Sequence, residues 1–113
     1  MDLPRIARET SQMLVNYLSY QALLTVLDQL AETNPPAALQ LRQFAASQNL
    51  QESDRLVEAL MAADPDMALR LMTVREHLAE ALLDYLPQMV LARVQDANLE
   101  QRRRLLERLT QGG

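Results

Sequence analysis

The chain has 113 residues, 49% hydrophobic and 23% charged, with two glycines and no cysteine. Its length suits one modest core, and its composition excludes a disordered chain, disulfides, thiolate metal sites and cysteine nucleophiles. A net charge of −4 argues against general nucleic-acid binding, which needs a basic face.

Leu, Ala, Gln, Glu and Arg dominate and β-branched residues are few, a balance that favours helix over sheet. Asp2 is placed to cap a first helix that Pro4 enters in its first turn. The helix is expected to run to about Thr33, where "TNPP" stops it. Asn34 then caps a second helix with Pro35 at its first position, carrying Leu39, Leu41 and Phe44 and fading at "SQN". Asn49 and Glu52 have capping-box spacing, so a third helix is predicted from near Leu50 to near Ala63. Asp64-Pro65 repeats the cap-then-proline signal and opens a fourth helix, with no turn signal until "QGG" at 111–113. Pro87 is the only breaker inside it. It removes the bond to the Leu83 carbonyl and predicts one kinked helix, with a break at Pro87 as the alternative.

A first helix of about 31 residues would be about 45 Å long and a fourth of about 45 residues about 68 Å. A compact monomer of this size is only about 35 Å across, from a radius of gyration of about 13 Å. The far half of the fourth helix therefore extends into solvent or packs on a second chain. Its Val90, Val94, Ala97, Leu105, Leu106 and Leu109 need cover, and a homodimer is the economical answer. Helical phase agrees. On the first helix Ile6, Met13, Tyr17, Tyr20, Leu24, Leu27 and Ala31 form one stripe, and Val15, Leu18, Ala22 and Val26 form another roughly opposite. On the fourth, Met67, Leu71, Val74, Leu78, Ala81 and Tyr85 form a stripe that Ala68, Met72, Ala79 and Leu86 widen. No apolar run approaches the about 20 residues that span a bilayer. "MDLPRIARET" lacks the apolar region of a signal peptide, so a soluble cytosolic protein is the expectation.

Catalytic chemistry finds little to draw on. Glu76, His77 and Glu80 lie together in "REHLAE", but di-iron bundles need Glu-x-x-His in that order with further carboxylates. The reversed order favours a solvated helix face, with a metal-binding bundle a distant reading. His77 is the only histidine and no glycine-rich phosphate loop is present, so neither an enzyme nor a cofactor is expected. "QRRRLLER", 101–108, reads either as a solvated helix end favoured by the dipole or as a contact for acidic groups of a partner. Residues 93–113 carry five Arg against three acids, whereas residues 1–92 carry six Arg against twelve.

Tyr17 and Tyr20 are half of the chain's four aromatic residues. Aromatics at helical spacing are usually core, yet tyrosine also suits recognition surfaces. The second apolar stripe leaves the first helix a face to spare, and a groove floored by Tyr17, Tyr20 and Leu24 would suit an apolar peptide. Core and groove stand about even on these grounds.

Three stretches, "YLSYQALLTVLDQLAETNPPAALQLRQF" at 17–44, "ALRLMTVREHLAEALLDYLPQMV" at 68–90 and "RRRLLERLTQ" at 102–111, closely resemble the RbcX family of Rubisco assembly chaperones. The resemblance covers nearly the whole chain. It implies a single helical domain over 1–113 that forms an all-α, arc-shaped homodimeric bundle, four helices per chain, around a long kinked fourth helix. It further implies a central groove lined by two copies of the first helix, which captures the C-terminal peptide of the Rubisco large subunit. Tyr17 and Tyr20 match the family's groove tyrosines, and Leu50 and Gln51 match neighbouring groove positions. Gln29, Glu32, Arg70 and Arg102 match polar positions at the dimer ends that contact the body of the large subunit, with Arg103 and Arg104 as alternatives to Arg102. The implied mechanism is non-catalytic and uses no ATP: the chaperone stabilises dimers of the large subunit and the octameric core until small subunits bind. The lack of a transit sequence favours the cyanobacterial cytosol, with carboxysome association left open, over the plastid stroma. A helical dimeric scaffold or regulator that binds another helix or peptide is the alternative from a different class.

Overall fold

The computed structural model describes residues 1–49 and 51–112. Among these residues all regular structure is α-helical, in five helices: α1 (Leu3–Thr33), α2 (Pro35–Ala46), α3 (Ser53–Ala63), α4 (Pro65–Leu83) and α5 (Leu86–Gln111). The chain divides into two compact units, Met1–Ala79 and Glu80–Gly113.

Local chemistry sets most boundaries. The Asp2 carboxylate accepts from the Arg5 backbone N–H at 3.0 Å and caps α1, with a proline in the first turn. Asn34 serves two helices. Its backbone N–H donates to the Leu30 carbonyl to close α1, and its side chain accepts from the Ala37 N–H to open α2. The Asp64 carboxylate accepts from the Met67 N–H at 3.2 Å where α4 begins.

Two predicted boundaries are corrected. The third helix starts at Ser53, not near Leu50, because the Asn49 side chain is taken locally. It accepts from the Gln51 N–H at 3.0 Å, and the Glu52 N–H donates to the Asn49 carbonyl at 3.2 Å. Asn49 thus closes a turn of its own and does not cap a helix. The fourth helix is not one kinked rod. It ends at Leu83, and α5 starts at Leu86 with a proline in its first turn. Pro87 has no N–H to offer the Leu83 carbonyl and crowds it sterically. The Tyr85 N–H instead donates to the Leu82 carbonyl, and the Met89 N–H donates to the Tyr85 carbonyl.

In the first unit α1 packs against α2 and α3. The core joins Ala22, Leu23, Val26, Leu27 and Leu30 of α1 to Ala38, Leu41 and Ala45 of α2, Leu56, Val57 and Leu60 of α3, and Ala68 and Leu71 of α4. Phe44, Met67, Met72, Val74 and Leu78 pack against it, half-buried. Each fully buried Leu or Val contributes about 1.5–3 kcal/mol of transfer free energy. Of the two apolar stripes on α1, the one holding Ala22 and Val26 turns inward, and small residues there allow close helix approach. In the second unit, α5 has no buried residue, and Val90, Leu91, Val94, Leu105, Leu106 and Leu109 are all exposed.

Candidate functional site

The inward turn of Ala22, Val26 and Leu30 fixes what faces out. Tyr17 is 59% exposed, Tyr20 41% and Leu24 37%, three and four residues apart along one side of α1. The stripe is not uniform, since Leu27 is buried in the core. Tyr17, Tyr20 and Leu24 therefore form a largely apolar face that carries two tyrosines, chemistry suited to an apolar peptide. Gln51 is exposed in the turn before α3. Leu50, the neighbouring residue expected at the groove, lies outside the described residues.

Behind this face runs a polar seam. The Ser53 hydroxyl, buried at the start of α3, donates to Asn16 Oδ1 at 2.9 Å, and Gln12 Nε2 donates to the same oxygen at 3.1 Å. The Ser19 hydroxyl, also buried, donates to the Val15 carbonyl at 2.8 Å and accepts from Arg75 at 3.2 Å. The Asp54 carboxylate lies 3.8 Å from Arg75. Sequence reasoning did not find these contacts. The partners lie 37 and 56 positions apart, and no periodic pattern marks them.

Of the predicted polar contact residues, two meet directly: Arg70 donates to Gln29 Oε1 at 2.7 Å. Glu32 is exposed three positions further along α1. The contact holds one edge of the Arg70 guanidinium, and the rest of its fork stays available for a carboxylate.

In the second unit Arg103 and Arg104 both bind Glu100, and Arg103 also binds Glu107. The two arginines hold the Glu100 carboxyl well below its ordinary value, at about 2, chiefly through the hydrogen bond from Arg103. Arg102 is exposed and has no carboxylate partner among the described residues, which makes it the freest of the three. Glu76, His77 and Glu80 are each exposed, and no group of three metal-ligating side chains comes together among the described residues.

Comparison with known proteins gives consistent matches. The family model described as RbcX protein matches residues 1–111. The RuBisCO chaperone RbcX of Synechococcus sp. is 54% identical over 110 residues, 97% of this chain and 68% of that protein. That of Thermosynechococcus vestitus is 51% identical over 111 residues, 98% of this chain and 88% of that protein. The crystal structure of RbcX in complex with substrate matches with a TM-score of 0.86 at 45% identity, covering 97% of this chain and 99% of that one.

Proposed function

The chain belongs to the RbcX family, and from that premise we propose that it is an assembly chaperone for Rubisco. It acts as one helical domain per chain, as a homodimer in the cytosol, without catalysis, cofactor or ATP. Two copies of α1 line a groove. Tyr17, Tyr20 and Leu24 floor it, Leu50 and Gln51 flank it, and it captures the C-terminal peptide of the large subunit. Gln29, Glu32, Arg70 and Arg102 make a second, polar contact with the body of the large subunit. Together the two contacts hold large subunits in an assembly-competent pairing until small subunits displace the chaperone. Binding is moderate, because ordering a mobile peptide offsets part of the contact energy.

The observation that carries this reading is the exposed Tyr17, Tyr20 and Leu24 face on a helix whose own core is built from another side, by Ala22, Val26 and Leu30. The test is capture of the C-terminal peptide of the large subunit by wild type, Tyr17→Ala and Tyr20→Ala. Tyr20→Ala is expected to abolish capture while the dimer stays folded. An unfolded Tyr20→Ala, or unchanged affinity, returns Tyr20 to a structural role. Arg70→Ala is expected to impair formation of the octameric core, read by gel filtration, yet to leave peptide capture nearly normal. Loss of capture in that variant would merge the two surfaces into one.

A further inference from the structure

We infer that Asn16 and Ser53 are a positioning pair that sets the edge of the tyrosine face, an inference that rests on the groove reading above. The capping position of α3 belongs to Glu52, so the Ser53 hydroxyl one residue later is not committed to the first-turn N–H groups. Here Glu52 stands at the cap without a side-chain cap bond, and Ser53, 1% exposed, sends its hydroxyl across to Asn16 on α1. Gln12 donates to the same Asn16 oxygen and holds that amide in place. Leaving a buried hydroxyl unpaired is costly, so the pair fixes the register of α3 against α1.

The placement of the two residues gives the bond its use. Asn16 immediately precedes Tyr17, and Ser53 follows Gln51 by two positions. Gln51 is itself tied into its turn through the Asn49 side chain. One bond between α1 and α3 thereby couples the backbone carrying the first groove tyrosine to the backbone carrying a groove glutamine. A cleft of about 420 Å³ lies between them, with Gln12 and Asn16 on one wall and Gln51 and Glu52 on the other. A rigid frame of this kind lowers the ordering cost when peptide enters. Neither residue needs to touch the peptide.

The experiment measures affinity for a synthetic peptide, the C-terminal segment of the large subunit, in the full-length chain, for Asn16→Ala, Ser53→Ala and the double variant. Each single variant is expected to lose about tenfold and the double no more than the larger single, because both remove the Ser53–Asn16 bond. Asn16→Asp, which keeps an acceptor for Ser53 and Gln12, is expected to bind within about threefold of wild type. Val57→Ala trims a buried apolar contact of the same helix and is expected to lower Tm without changing affinity. Unchanged affinity in both single variants overturns the inference, as do losses that multiply in the double variant. A loss in Val57→Ala that matches Ser53→Ala at equal Tm overturns it too. If an alanine variant does not fold, hydrogen exchange of the wild type decides. Amides 51 and 52, which donate to Asn49, should be protected already without peptide, and fast exchange there in the free chain overturns the proposal. Failure of the parent reading looks different: wild type then does not bind the peptide, or Tyr20→Ala binds it as well as wild type does.

Discussion

Leu24 and Leu71 are the same side chain in opposite roles. Leu71 is 1% exposed at the centre of the first unit, whereas Leu24 stands on the open side of α1. Leu71→Ala is expected to destabilise by about 3 kcal/mol, the transfer loss plus the cavity. Leu24→Ala should cost less than about 1 kcal/mol yet weaken peptide capture. Urea midpoints at one fixed protein concentration separate the two, and comparable losses would move Leu24 into the core. Spacing alone had already put Tyr17, Tyr20 and Leu24 on one stripe and Ala22 and Val26 on another. Which stripe goes inward was not legible, because both are apolar and tyrosine serves core and surface equally well. The decision lies in the partners: α2 and α3 bring leucines that seat against small residues. Asn16, Ser19, Ser53 and Arg75 were beyond reach for a related reason. A polar contact between distant residues has no period.

Elements were legible where a side chain caps its own helix. Asp2, Asn34 and Asp64 each bond the N–H three positions on, and that geometry is written in the local sequence. Asn49 misled because the same side chain has a second local option, the N–H two positions on, and takes it. Pro87 was recognised as a breaker, but the extent of the damage depends on how residues 84 and 85 respond. Pro87→Ala restores the donor toward the Leu83 carbonyl, and a helical interior proline costs about 3 kcal/mol relative to alanine. The variant is therefore expected to slow amide exchange across residues 84–88 and to raise far-UV helical signal slightly. Unchanged exchange there would assign the break to Asp84 and Tyr85.

At the scale of the whole molecule α5 is decisive, because its 26 residues include no buried one. Most helical stability in proteins comes from packing an apolar face, and α5 has no buried residue to supply it. Val90, Val94, Ala97 and Leu105 fall on one stripe of it. A row of exposed apolar side chains of that extent marks an interaction surface. The apolar pattern of this segment foretold the surplus apolar surface, though one chain cannot name its cover; the expected single helix of about 68 Å is divided between Leu83 and Leu86. A second copy is the simplest cover, and it makes a quantitative demand. Light scattering should give about twice the 12.8 kDa of one chain, and Tm should rise with protein concentration, as for any association that favours the folded state. Val90→Asp with Val94→Asp places two charges on the stripe. If a partner covers it, burying those charges is prohibitive. The variant then runs at the mass of one chain, with a Tm that no longer depends on concentration, and it loses peptide capture if the groove is built, as proposed, from two copies of α1. If the stripe faces water, the two charges cost almost nothing and the mass stays as in wild type. Unchanged mass with unchanged Tm would therefore remove α5 from the dimer contact and leave its apolar stripe facing water.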